Sequence, residues 1–80
     1  MTFLIFAGMR ESSGVSSISL PPPADAATVA QAWEAVCVAH PHLSVWTGRV
    51  AFARNGEYAG PETPIADGDE LAAIPPVSGG

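Results

Sequence analysis

One segment of this 80-residue chain has the pattern of a helix, and its position constrains what the flanking segments can become. Thr28-Val29-Ala30-Gln31 has the form of a capping box. In such a box the threonine hydroxyl accepts the orphan N–H three residues on, and the glutamine side chain reaches back to the threonine amide. Val29, Ala32, Trp33 and Val36 then recur at helical spacing, one apolar stripe running through about residue 39. His40-Pro41 stops the helix, because the residue before a proline is pushed out of the α region. The stripe is narrow, so the helix needs one broad apolar surface to lie on, and the rest of the chain has the features of a sheet.

Phe3-Leu4-Ile5-Phe6-Ala7 is a short apolar run bounded by Gly8, a strand apolar on both faces and therefore central. After a turn from Met9 to Gly14, Val15 to Leu20 roughly alternates apolar and polar residues, as a half-buried hairpin partner does. Pro21-Pro22-Pro23 ends it, since proline has no amide to give a ladder. Arg49 to Arg54 is strand-like, Asn55-Gly56 is a two-residue hairpin signal, and Glu57-Tyr58-Ala59 returns. Pro61 and Pro64 mark an irregular connection, Asp67-Gly68-Asp69 a turn, and Glu70 to Ile74 the last strand. The first and last strands can lie side by side in parallel if the helix makes the usual right-handed crossover. The expected fold is α+β: a mixed sheet of about five strands with one main helix on one face, a β-grasp or ubiquitin-like arrangement. It divides the chain into a body over residues 1–74 and a flexible tail over 75–80.

The tail, Pro75-Pro76-Val77-Ser78-Gly79-Gly80, ends in a diglycine. Glycine has no Cβ to clash, so such an arm can thread a narrow active site and present its carboxylate there. The arm springs from the end of a central strand, which gives it a fixed root. A tag remnant or frayed terminus is the bland alternative, and the preceding motif argues against it.

Composition narrows the partners. Charged residues make up 14% of the chain and apolar ones 48%, so a domain this small is expected to leave hydrophobic surface for a partner. The net charge is −5, with three arginines and no lysine, which speaks against nucleic acid and anionic membrane and favours a basic protein surface. Cys37 is the one cysteine, so there is no intrachain disulfide and no plausible zinc ligand set; a reduced, cytoplasmic setting is expected. The apolar opening from Thr2 to Ala7 is too short for a signal peptide or a transmembrane span.

Phe6-Ala7-Gly8-Met9-Arg10-Glu11 with Gly14, then Asp67-Gly68-Asp69-Glu70-Leu71, then Pro75-Pro76-Val77-Ser78-Gly79-Gly80 closely resemble the small subunit of molybdopterin synthase. That family of MoaD-like and ThiS-like sulfur carriers has an F-A-x-x-R-E-x-x-G block after its first strand. At its end it has D-G-D-E and P-P-V-x-G-G. The resemblance spans the whole chain. It implies that an E1-like (MoeB-like) adenylating enzyme uses ATP and magnesium to activate the Gly80 carboxylate. A sulfur donor would then displace AMP and leave a thiocarboxylate, a good sulfur nucleophile. It also implies a large-subunit (MoaE-like) partner that receives Gly79 and Gly80 in its active site and supplies the acid, base and phosphate-binding groups. Two such transfers would build the dithiolene of molybdopterin on a pyranopterin precursor. No cofactor is expected on this chain itself.

For docking, Leu4 and Phe6 are expected on the face opposite Phe3 and Ile5, and Ile74 opposite Leu71 and Ala73. With the helix covering Phe3, Ile5 and Leu71, the residues Leu4, Phe6 and Ile74 are left as an apolar patch that Val77 continues. Relatives in the family often carry aromatics where this chain has Ala73-Ile74, so the patch here is slimmer. Arg10 either contacts a partner or forms a local pair with Glu11; exposed pairs stabilise by only ~0–1 kcal/mol. Cys37 is read as a small boundary residue rather than a nucleophile, and His40 and His42 as capping or surface residues. Asp67, Asp69 and Glu70 are read as a turn with a solvated acidic rim. Two other readings stay open: a sulfur carrier for thiamin, cysteine or tRNA thiolation, or a ubiquitin-like modifier joined through Gly80 to lysines of other proteins.

Overall fold

A computed structural model describes residues 1–6, 14 and 16–75. The elements are strands β1 (Thr2–Ile5) and β2 (Ser17–Ser19), helix α1 (Val29–Ala39), a 3₁₀ helix (Pro41–Trp46), and strands β3 (Ala51–Arg54), β4 (Glu57–Ala59) and β5 (Glu70–Ile74). The strands form one sheet in the order β2-β1-β5-β3-β4. β1 and β5 are parallel at its centre, with Phe3 beside Leu71 and Ile5 beside Ala73; every other pairing is antiparallel. This is the β-grasp arrangement that the order of elements predicts. Strands β2 and β3 are both shorter than the sequence suggests.

Helix α1 begins where the capping box lies. The Gln31 amide donates to Thr28 Oγ1 at 3.4 Å, and the Thr28 amide donates to Gln31 Oε1 at 2.9 Å. The box satisfies only part of the helix start. The amides of Val29 and Ala30 donate instead to the carbonyl oxygens of Thr63 and Pro61, at 3.0 and 2.9 Å. The irregular proline-rich connection is therefore a clasp on the helix N-terminus, and the Ile65 amide closes it on the Ala27 carbonyl oxygen at 3.1 Å.

The expected stripe of Val29, Ala32, Trp33 and Val36 is the buried face of the helix. It packs on Phe3, Ile5, Ile18, Leu71 and Ala73 from the sheet, with Leu43 of the 3₁₀ helix closing one end. Phe3, Trp33 and Phe52 form an aromatic triangle with ring centroids 5.7 to 6.3 Å apart. Such tilted and edge-on pairs add stability beyond the area they bury. Trp33 Nε1 donates to Thr47 Oγ1 at 2.8 Å, so the indole fills the core without orphaning its N–H.

One element was not foreseen. After Pro41 the chain continues as the 3₁₀ helix, with Pro41 at its first turn and the Ser44 hydroxyl donating to the Pro41 carbonyl oxygen at 2.7 Å. Proline ends α1 but is well suited to start a new helical turn, because its fixed φ is helical and its missing N–H is not needed there.

Candidate functional site

Among the described residues, helix α1 packs on one face of the sheet and no helix covers the other. Alternation along the strands places Leu4, Ala72, Ala53 and Tyr58 in one row on the opposite face, since Leu4 pairs with Ala72, Ala72 with Ala53, and Ala53 with Tyr58. Ser17 extends the row beyond Leu4. Leu4 and Ala53 are half-buried, and Tyr58 is 81% exposed. Next to this row Ile74 pairs with Ala51; Ile74 is half-buried and Ala51 exposed.

Ile5 and Ala73 are the last pair of the parallel β1–β5 ladder. One residue further along each strand come Phe6, 41% exposed, and Ile74. Leu4, Phe6 and Ile74 thus gather at the C-terminal end of the two central strands, where β5 gives way to Pro75. Arg10, Val77, Gly79 and Gly80 lie outside the described residues. Tyr58 is a residue that the sequence reading passed over. The signal was available, because a two-residue turn at Asn55-Gly56 fixes the register and sets Tyr58 opposite Ala53.

The acidic turn differs from expectation. Asp67 and Glu70 are exposed, but Asp69 is 8% exposed and forms the centre of a polar node. Asp69 Oδ2 accepts from Arg54 Nε at 2.7 Å and from the Ala66 amide at 2.8 Å, and Oδ1 accepts from Asn55 Nδ2 at 3.1 Å. These donors, Arg54 first, hold the Asp69 carboxyl down at about 2 against an ordinary 3.8. Asn55 also accepts the Glu70 amide through Oδ1 at 2.9 Å. The node joins the β3–β4 hairpin to the start of β5. Four residue steps, ~13 Å of strand, separate that start from Ile74. Asp69 therefore belongs to the scaffold and not to the solvated acidic rim expected of the turn.

The remaining polar candidates stay dispersed. Cys37 is half-buried with Sγ 4.0 Å from Thr47 Oγ1; burial pushes the thiol up, and the charge of Glu34 acts in the same direction. The rings of His40 and His42 stand edge to face at 6.2 Å. No group of three or more His, Cys, Asp or Glu side chains is placed to hold a metal among the described residues. No helix among them is long and apolar enough to cross a membrane.

A mixed five-stranded sheet with parallel central strands and one main helix packed on one face is the architecture of the ubiquitin-fold class. The chain belongs to the ThiS family, whose model matches residues 3–80. It is 39% identical over 79 residues to the molybdopterin synthase sulfur carrier subunit of Chlamydomonas reinhardtii, a match covering 96% of this chain and 94% of that protein. It is 36% identical over 88 residues to small archaeal modifier protein 1 of Haloferax volcanii, with both chains fully covered. The crystal structure of SAMP1 from Haloferax volcanii superposes with a TM-score of 0.88 at 34% identity, covering 99% of this chain and 97% of that one. The protein is a sulfur carrier of the ThiS/MoaD type, homologous to molybdopterin synthase small subunits.

Proposed function

We propose that this chain is the small subunit of a molybdopterin synthase and acts as a covalent cosubstrate through Gly80. An E1-like enzyme adenylates the Gly80 carboxylate with ATP and magnesium. The carboxylate oxygen attacks the α-phosphate, pyrophosphate leaves, and the acyl carbon gains AMP as a leaving group. The outer sulfur of a persulfide donor then attacks the acyl carbon and AMP leaves. A second thiol reductively cleaves the resulting acyl disulfide, is itself oxidised to a disulfide with the donor sulfur, and frees the thiocarboxylate that carries sulfur to the pyranopterin precursor in the large subunit. The tail over residues 75–80 delivers it, and Gly79 and Gly80, with no side chain, supply the slender terminus the active site must admit. The cytoplasm is the setting that fits this chemistry.

The observation that carries this reading is the parallel β1–β5 pairing. It supports the reading because Ile5 and Ala73 end the ladder side by side, with Phe6 and Ile74 next along each strand, where β5 gives way to Pro75. A partner seated on that patch would take the tail into its own active site without a long search, because the root is rigid. Arg10 and Val77 extend the proposed contact, and Tyr58 adds an aromatic anchor on the same face. Reconstitution tests it: carrier with a Gly80 thiocarboxylate, mixed with the large subunit and precursor, should yield molybdopterin, whereas the carboxylate form should not. Failure of the thiocarboxylate form with an active large subunit would remove the molybdopterin assignment.

The likeness to small archaeal modifier protein 1 favours one second reading, attachment of Gly80 to lysines of other proteins. Denaturing gels after enzymatic activation separate the two. Covalent ladders on other proteins belong to the modifier reading and a sulfur-dependent mass gain to the carrier reading.

A further inference from the structure

We propose that this chain is an outward-only acyl donor: its amine and thiol groups offer no competent acceptor for its own activated terminus, so it labels foreign nucleophiles singly and never builds chains of itself. The inference rests on the activation of Gly80 proposed above. An acyl-adenylate reacts with amines and thiols, and a second copy of the same chain is one surface that could offer them. In such an attack the amine nitrogen bonds to the Gly80 carbonyl carbon, AMP departs with the bonding electron pair, and the amine releases its proton to water.

The sequence holds three cationic side chains, Arg10, Arg49 and Arg54, and no lysine. Guanidinium groups stay protonated and do not acylate under these conditions. Arg54 is further held by Asp69 and Arg49 lies over the Trp46 ring at 5.0 Å. The α-amine of Met1 donates to the Leu20 carbonyl oxygen at 3.0 Å and is part-buried, with the Met1 side chain packed against the core. The Cys37 thiol is half-buried in contact with Thr47, and burial keeps it protonated. His40 and His42 would give only acyl-imidazoles, which water cleaves. Each amine, thiol and imidazole acceptor is thus missing, tied down or unproductive.

The probe is the full chain carrying a 2-mercaptoethanesulfonate thioester at Gly80, made by intein cleavage. It presents the same acyl carbon with no activating enzyme. Val38 and Val45, 82% and 63% exposed, are sites where a lysine leaves the core untouched. The wild-type thioester should give hydrolysed chain alone, and the simple adduct when free lysine is added. Val38→Lys and Val45→Lys thioesters should give chain–chain dimers as a major product by intact mass. Wild-type dimers forming as fast as those of the variants, for instance through Met1, would overturn the proposal. So would variants that form none while free lysine is acylated, since a surface lysine would then make no difference. A failure of adenylation itself is read separately, as absence of ATP-dependent pyrophosphate release with the E1-like enzyme.

Discussion

Asp69 shows how much one residue can depart from the appearance of its neighbours. In sequence it is one acid among three around Gly68, and the composition of the turn suggests solvent. Three donors converge on it because Arg54 and Asn55 sit at the hairpin end that β5 passes. That convergence depends on a pairing fifteen residues away in sequence, which local pattern does not carry. The acid dependence follows with a definite sign. A carboxyl whose pKa is depressed by folding stabilises the native state above its unfolded value and loses that contribution as pH falls through the folded one. The window therefore runs from about pH 4 down to about pH 2, from the lowered Asp69 value. Urea denaturation across that range should show the wild type losing stability more steeply than Asp69→Asn; parallel curves would mean that the node is not coupled to folding. On the opposite face the exposed residues make the complementary case. Phe6→Asp or Tyr58→Asp should weaken large-subunit binding by about 2 kcal/mol or more, as loss of an aromatic anchor does. Melting temperatures should hardly move, and calorimetric titration against the large subunit reads the binding loss.

At the scale of elements, α1 was legible because its determinants are local. Its cap, stripe and stop all lie within fourteen residues, and each is a short-range physical effect. Thr28→Ala should cost about 1 kcal/mol, the usual value of a lost N-cap. Two of the first amides keep their partners in the 61–63 clasp, so the helix should shorten by no more than a turn, as amide exchange would report. Trp33→Ala removes a corner of the aromatic triangle as well as the tie to Thr47 and should cost about 3–5 kcal/mol, checked by chemical denaturation. The hairpin was equally readable: Asn55 and Gly56 take the positive φ angles, 50° and 86°, that a type I′ turn demands. The 3₁₀ helix was not, because the same proline that ends one helix can start another, and local sequence does not say which. The positive φ of 62° at Ala26 was also invisible, since nothing about alanine marks such a conformation.

For the whole molecule, the order of strands and helix was enough to place β1 and β5 in the centre, because one right-handed crossover satisfies that order. Which face the helix covers followed from the alternation of Phe3, Ile5 and Leu71 against Leu4 and Ile74. What composition could not say is where the charges go. The acidic turn braces one end of β5, while Phe6 and Ile74 stand at the other. That separation gives the molecule a braced end and a delivery end, and the account depends on the delivery end reaching a terminus that can be activated.

The direct test is the intact mass of the chain expressed with its E1-like activating enzyme and a sulfur source. The expected result is a gain equal to one oxygen replaced by sulfur, abolished when Gly80 is deleted. An unchanged mass in the presence of a demonstrably active enzyme would contradict it.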